Sequence, residues 1–346
     1  MNGRNRALIA VLAFIALPAI IAVADAASFW FRSRNNGAIV SSGEKREYLL
    51  YVPRSYDASK PVPLVISLHG ASGRPVQQMQ ISGWNRLAER EGFIVVYPAG
   101  IETFGPRIWH TGSGERPRRD VRFISDLIDK LERQYLIDRD RIYVNGLSNG
   151  GGMTFALSCT MSDRIAAAGL VSSAQFVSWS WCTDRRPVPM IAFHGTADSM
   201  APYNGGESWL APEPFLSLPK FVAAWARRNG CAPDPVESRP AADVSRREYM
   251  RCTGGAAVVF YTLHGGGHVW PGGEPLPVWF VGPDSRTVDA TAEMWAFFRV
   301  HPRSSLAQIA AQQGDELLRD HSARQILGTL HGGAMQDGAG RRRDHP

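Results

Sequence analysis

The stretch Arg141-Ile-Tyr-Val-Asn-Gly-Leu-Ser-Asn-Gly-Gly-Gly-Met153 constrains the fold more than any other. An apolar, β-branched run ends at Gly146, Ser148 stands between Gly146 and Gly150, and a small-residue segment with helical character runs on through Cys159. A strand that turns into a helix this abruptly strains the residue at the bend and leaves no room for side chains two positions either side of it. The serine hydroxyl is then held above the sheet edge, over the positive end of the following helix. The plainer reading is a glycine-rich turn. The strand before and the helix after favour a nucleophile at Ser148.

The segments around it repeat one theme. Arg46–Pro53 reads as a first strand, and Pro61–His69 and Gly92–Pro98 are continuous apolar runs of the kind buried on both faces of a sheet. Ile165–Val171, Val188–His194 and Ala256–Leu263 are three more. Between them, Gln77–Arg90, a segment opened by Asp120, Leu218–Arg228 and Val288–Val300 have helical periodicity. Residues 28–42 are ill-defined. Strands alternating with helices predict an α/β protein with a doubly wound, mostly parallel sheet, whose sites lie at the carboxyl ends of its strands.

A serine hydroxyl needs a base, and the base needs an orienting acid. Strand 188–194 runs into His194-Gly-Thr-Ala-Asp198, and strand 256–263 runs into His264-Gly-Gly-Gly-His268. Each alone has an ordinary explanation, a turn-forming aspartate and a solvated histidine. In the order serine, acid, histidine, each in a loop after its own strand, they become candidate acid Asp198 and candidate base His268. His264 competes with His268 but stands at the strand end, with little freedom to reach Ser148. Asp184 competes with Asp198 but follows a Trp-rich loop rather than a strand. The oxyanion of a tetrahedral intermediate would take the backbone amides of Asn149 and of Ala71, with Ser72 the alternative, while His69 reads as a structural hydrogen-bonder. Trp109 and Trp270 are candidate substrate contacts, with packing on the core the equal alternative.

Composition sets the remaining bounds. The 346 residues are 44% hydrophobic with a net charge of +6, and Lys and Arg cluster only at Arg116–Arg119 and Arg341–Arg343, which argues against a nucleic-acid partner. Cys-x-x-Cys, phosphate-loop and dinucleotide patterns are missing, so no cofactor or metal is expected. Arg4 and Arg6, the apolar run Ala7–Val23 and the small residues ending at Ala26 predict a signal peptide over residues 1–26, with an uncleaved membrane anchor the alternative. The expected division is a linker over 27–43, a catalytic domain over 44–301, and a tail over 302–346, partly helical and then disordered. Four cysteines fit an exported, oxidising setting, secreted or periplasmic. Spacing leaves three pairings open.

Leu68-His-Gly70, Asp120-Val-x-Phe-Ile124, Gly146-Leu-Ser-Asn-Gly-Gly151, His194-Gly-Thr-Ala-Asp198 and Gly266-Gly-His-x-Trp-Pro-Gly272, with Asn229-Gly-Cys231 and Cys252, resemble the exported poly(3-hydroxybutyrate) depolymerase family and its feruloyl and acetylxylan esterase relatives. The resemblance runs from about Glu44 to Phe298 and does not reach the last 45 or so residues. It implies an α/β-hydrolase fold, a Ser148–Asp198–His268 triad, no metal, and the pairs Cys231–Cys252 and Cys159–Cys182. The expectation is a serine esterase for short-chain, hydroxyalkanoate or aromatic esters, small or polymeric, with a feruloyl or acetylxylan esterase as the alternative. A serine peptidase and a non-catalytic polymer binder are more distant readings. Oligomeric state is not legible. The loops 100–119, 173–187 and 200–218, with Trp109, Trp179, Trp181 and Trp209, predict an open cleft with aromatic walls.

Overall fold

The structure, a computed structural model, describes residues 35–102, 106–111, 115–173, 178–208 and 211–303. The expected signal peptide, the expected tail beyond Arg303 and Trp209 lie outside the described residues.

Ten strands form one sheet. In chain order they are β1 (Gly37–Ser41), β2 (Glu44–Tyr51), β3 (Val62–Leu68), β4 (Ile94–Pro98), β5 (Ile137–Leu147), β6 (Ala167–Val171), β7 (Met190–Gly195), β10 (Val236–Ala241), β11 (Val244–Tyr249) and β12 (Val258–Leu263), while β8 (Gly206–Ser208) and β9 (Ala211–Phe215) make a separate hairpin. The spatial order is β1-β2-β4-β3-β5-β6-β7-β12-β11-β10. From β4 to β12 every pair is parallel, and antiparallel strands flank this block on both sides. β3, β4, β6, β7 and β12 are buried along their whole length, as expected where helices cover both faces.

The helices are α1 (Pro75–Ser82), α2 (Trp84–Glu91), α3 (Glu115–Gln134), α4 (Asn149–Thr160), α5 (Leu218–Arg228), α6 (Val278–Val281, a single turn) and α7 (Ala290–Phe298). Phe123, Ile124 and Leu127 of α3, Phe155 of α4 and Phe221 and Trp225 of α5 fill one core, where Leu64, Ile66 and Leu68 of β3 also point. Trp84 and Leu87 of α2 and Met294, Trp295 and Phe298 of α7 fill the other, which takes Val65. The period of two along β3 thus divides the apolar side chains between two layers, giving the doubly wound α/β sheet expected from the sequence.

Several boundaries differ from expectation. The helix predicted over 77–90 is two helices, broken at Gly83, which adopts φ 65° and caps the first with its N–H on the Met79 carbonyl. The helix predicted to open at Asp120 begins at Glu115, so Asp120 lies inside α3 and faces the core. Residues 37–41, expected within a linker, form edge strand β1 instead. The described cysteines pair as the resemblance implies, Cys159 with Cys182 and Cys231 with Cys252.

Asp120 is fully buried and opposes Arg46 of β2 at 2.8 Å. The Arg46 guanidinium also donates to the Ala99 carbonyl and lies 4.0 Å over the Phe123 ring. The other Asp120 oxygen accepts from the His110 backbone N–H at 2.8 Å and from its Nδ1 at 3.0 Å. One carboxylate therefore ties the antiparallel strand β2 and the loop at His110 to α3.

Two outcomes follow from these ties. Arg46→Met leaves Asp120 buried without its cation and should lower the unfolding free energy by about 3–5 kcal/mol. The Arg46→Met/Asp120→Leu pair should recover part of that loss in urea titrations, and equal losses in both variants would show that the ion pair is not the source. Reduction of the two bridges should cost about 2–4 kcal/mol each, read as a downward shift of the thermal midpoint; an unchanged midpoint after complete thiol labelling would contradict this.

Candidate active site

Ser148 sits between the end of β5 and the start of α4 with φ 54° and ψ −119°, a conformation costly for any residue with a side chain. The crowding that enforces it is measurable. A Cβ added at Gly150 would lie 2.4 Å from the Leu68 carbonyl oxygen, and one added at Gly146 would lie 2.3 Å from the carbonyl carbon of Gly150. Only glycine lets α4 start this close to the end of β3. Asn149 is the first residue of α4, so its N–H is among the amides a helix leaves without an internal acceptor.

The turn after β3 lies against the serine, since a Cβ at Gly70 would be 3.5 Å from Ser148 Cβ. Within that turn Ser72 N–H donates to the Arg107 carbonyl at 2.8 Å and Gly73 N–H to Gly70 at 3.0 Å. Both amides are committed, whereas the Ala71 N–H just before them has no acceptor among the described residues. This favours Ala71 over Ser72 as the second amide facing an anion.

Trp109 and Trp270, candidates for substrate contact or for packing on the core, are only 1% and 2% exposed, which favours packing. Trp109 Nε1 donates to the His69 carbonyl, and its own backbone N–H and C=O pair with the Asn149 side-chain amide at 2.7 and 3.0 Å. Trp270 Nε1 donates to Thr291 Oγ1 at 2.9 Å. Both indoles are satisfied from inside, so they brace the loops rather than line a cleft. Trp179 and Trp181 likewise pack against the core, Trp179 among Phe155, Phe221 and Trp225. His69 is the structural hydrogen-bonder the sequence suggested. Its Nδ1 donates to the Gly70 carbonyl and its Nε2 accepts from Gly100 N–H, while burial lowers its pKa to about 4 and keeps it neutral.

The two loops beyond the serine converge. His268 Nδ1 donates to Asp198 Oδ2 at 2.8 Å, and both residues are buried. Asp198 Oδ1 accepts the backbone N–H groups of Met200 and Ala201 at 2.9 and 2.8 Å. Burial works against ionising Asp198, but the His268 hydrogen bond and charge, then His194 and the Ala201 amide, hold its pKa below the ordinary carboxylate value. With Nδ1 donating to an anion, the imidazole keeps Nε2 as its accepting nitrogen.

His194 is the residue whose role the sequence did not disclose. Its Nε2–H donates to the Ala201 carbonyl at 2.7 Å and lies 3.3 Å from Asp198 Oδ2. Burial lowers its pKa, against Asp198 and Ala201, so the ring stays neutral beside the carboxylate while its N–H goes to Ala201. The spacing His-Gly-x-x-Asp could have signalled it, because a histidine at a strand end can face a turn four residues on. Ser172, just past β6, gave no sequence signal. Its Oγ donates to the Val269 carbonyl at 3.0 Å, next to His268, while Val171 beside it accepts Ser148 N–H at 2.9 Å. This links the serine to the histidine loop. The competitors are engaged elsewhere, His264 with Ser245 Oγ at 2.7 Å and Asp184 with Arg228.

Residues 46–181 match a family described as Esterase PHB depolymerase, a span that contains Ser148 but stops before Asp198 and His268. Over 229 residues the chain is 31% identical to Feruloyl esterase B of Piromyces equi, covering 64% of this chain and 42% of that protein, so it spans less than half the relative's length. Feruloyl esterase D of Neurospora crassa is 28% identical over 275 residues, 75% of this chain and 87% of that one. Among solved structures, an acetyl xylan esterase from Aspergillus awamori superposes with a TM-score of 0.52 at 17% identity, covering 67% of this chain and 93% of that one, a likeness that bears on the fold alone. The chain thus has the α/β-hydrolase fold and resembles carboxylic ester hydrolases of the poly(3-hydroxybutyrate) depolymerase, feruloyl esterase and acetylxylan esterase kind.

Proposed function

We propose that the chain is an exported serine esterase in which Ser148, His268 and Asp198 act as one unit. The observation that carries this reading is the 2.8 Å Asp198–His268 bond, which leaves Nε2 free to accept a proton, together with a serine held at φ 54° in the turn between β5 and α4. Ser148 Oγ attacks the ester carbonyl as His268 Nε2 takes its proton. Negative charge then builds on the carbonyl oxygen, where the Asn149 and Ala71 amides receive it. His268 returns the proton to the departing alkoxide, and the ionised Asp198 stabilises the imidazolium formed between these steps. Water, deprotonated by the same imidazole, releases the acid and restores Ser148. Export rests on the N-terminal segment of residues 1–26 and on the two disulfides. Among the described residues no helix is long and apolar enough to cross a membrane.

Short-chain, hydroxyalkanoate or aromatic acids are the expected acyl groups, and the matching family description supports the hydroxyalkanoate reading. A feruloyl or acetylxylan esterase acting on plant polysaccharide is the second reading, favoured by the names of the relatives.

Ser148→Ala and His268→Ala should each lower ester turnover by at least ~10³-fold with the fold kept, and an organophosphonate should label the parent but not the serine variant. Retained turnover in His268→Ala with loss in His264→Ala would move the base to the other histidine. In a screen of acyl groups, kcat/KM should fall as chains pass about eight carbons; faster hydrolysis of palmitoyl than butyryl esters below the micelle threshold would contradict the open-cleft expectation.

A further inference from the structure

Where β6 ends, three consecutive residues, Val171, Ser172 and Ser173, touch both the candidate nucleophile and the loop of the candidate base. The Val171 carbonyl accepts Ser148 N–H at 2.9 Å, and Ser173 Oγ donates to the Ser148 carbonyl at 2.8 Å. Ser172, between them, donates its Oγ to the Val269 carbonyl at 3.0 Å and its N–H to the Phe193 carbonyl at 2.9 Å. Both serines are shut off from water, at 1% and 2% exposure.

Two departures from ordinary geometry single this pair out. Ser172 adopts φ 45°, a left-handed backbone that disfavours any side chain. Glycine would relieve that cost, so a serine in this place argues that its hydroxyl is used. The second departure is Gly151, one residue beyond the glycines that the turn at Ser148 requires. A Cβ there would lie 2.4 Å from Ser173 Cβ and 2.6 Å from its Oγ. Gly151 therefore clears the space that Ser173 occupies.

The consequence for Ser173 comes from the planarity of the peptide bond. The Ser148 carbonyl and the Asn149 N–H belong to one rigid unit, so a donor on the carbonyl fixes where the amide at the other end points. Gly152 N–H already bonds that carbonyl at 3.0 Å, as the first bond of a helix does. Ser173 adds a second donor from a neighbouring strand end, and donation to a carbonyl polarises the attached N–H into a stronger donor. Ser172 acts on the other partner. His268 is held by its N–H on the Val281 carbonyl at 2.6 Å and by its ring on Asp198 at 2.8 Å. The Ser172 bond to the next residue, Val269, adds a third point of support from the serine's side of the sheet.

We propose that Ser172 and Ser173 are paired positioning residues. Ser173 aims the Asn149 amide at the developing oxyanion, and Ser172 holds His268 where it can return a proton to the leaving alcohol. The inference rests on the serine-esterase reading and goes beyond it, since it places control of the oxyanion donor and of the base on two adjacent hydroxyls.

Two variants and two leaving groups test this division. Ser173→Ala should lower kcat/KM about tenfold or more, by a factor equal within about twofold for p-nitrophenyl and ethyl butyrate, because the oxyanion forms whichever alcohol leaves. It should weaken to a similar extent the binding of a trifluoromethyl ketone. The carbonyl carbon of that probe bonds Ser148 Oγ, its π electron pair moves to its oxygen, and the serine proton passes to His268. Ser172→Gly accepts φ 45° without strain and loses only the hydroxyl. Its kcat/KM should fall at least about fivefold further for ethyl than for p-nitrophenyl butyrate, since ethoxide needs the His268 proton to depart and p-nitrophenolate does not. Ser172→Ala should repeat that ratio. Circular dichroism should show each variant folded at the assay temperature, and losses that merely follow the unfolded fraction would overturn the positioning role. Parent-like kcat/KM and ketone affinity in Ser173→Ala, or a Ser172→Gly loss indifferent to the leaving group, would overturn it while the esterase reading stands. A parent that neither turns over esters nor takes an organophosphonate removes both.

Discussion

The buried carboxylate of Asp120 holds together what surrounds the serine. Its partners are Arg46 from β2 and both the backbone and ring nitrogens of His110. The residue before His110 is Trp109, whose backbone is clamped by the Asn149 amide and whose indole reaches the His69 carbonyl. Arg107, two residues further back, receives Ser72 N–H and so removes that amide from competition with Ala71. A fully buried acid would be destabilising alone. Surrounded by a cation and two N–H donors, it becomes the anchor from which a long loop is hung across the front of the sheet.

The second buried carboxylate, Asp198, works by the same physics to a different end. Two backbone amides fix one oxygen and His268 donates to the other, with the neutral His194 ring 3.3 Å from it. Crowding donors around one anion keeps it ionised despite burial, and the neutral histidine adds a dipole without adding a competing cation. Asp198 is thereby held by three hydrogen bonds, none of which depends on solvent.

Much of this was readable in the chain. The apolar runs at 61–69, 92–98 and 256–263 announced buried parallel strands because both faces are covered and no Asp, Glu, Lys or Arg interrupts them. Of the flanking antiparallel strands only β2 was legible, as the Arg46–Pro53 run, and β1, β10 and β11 were not, for the converse reason. β10, Val236-Glu-Ser-Arg-Pro-Ala241, is exposed almost throughout and shows no alternation to detect. Charged residues and a proline are what an edge strand uses to avoid pairing with a second chain. Around the serine, positions in sequence implied positions in space, since a residue just past a parallel strand has one edge of the sheet to occupy. Side-chain direction was not so encoded. Trp109 and Trp270 sit in loops beside the site, yet each indole N–H found a partner inside, and that depends on tertiary neighbours such as the His69 carbonyl and Thr291.

The seam between β6 and β7 divides the chain by task. The residues before it supply the proposed nucleophile Ser148 and the amides of Ala71 and Asn149, and those after it supply Asp198 and His268. Across the seam run the parallel β-ladder, Ser172 N–H to the Phe193 carbonyl, and Ser172 Oγ to the Val269 carbonyl. The matching family span, 46–181, ends just short of this line. In terms of evolution by exchange, the front half is a reusable warhead and the back half a cassette. A recombination joint placed between residues 182 and 189 could exchange the half that carries Asp198 and His268 while keeping the Ser148 half unchanged, provided the incoming segment still offers a carbonyl to Ser172.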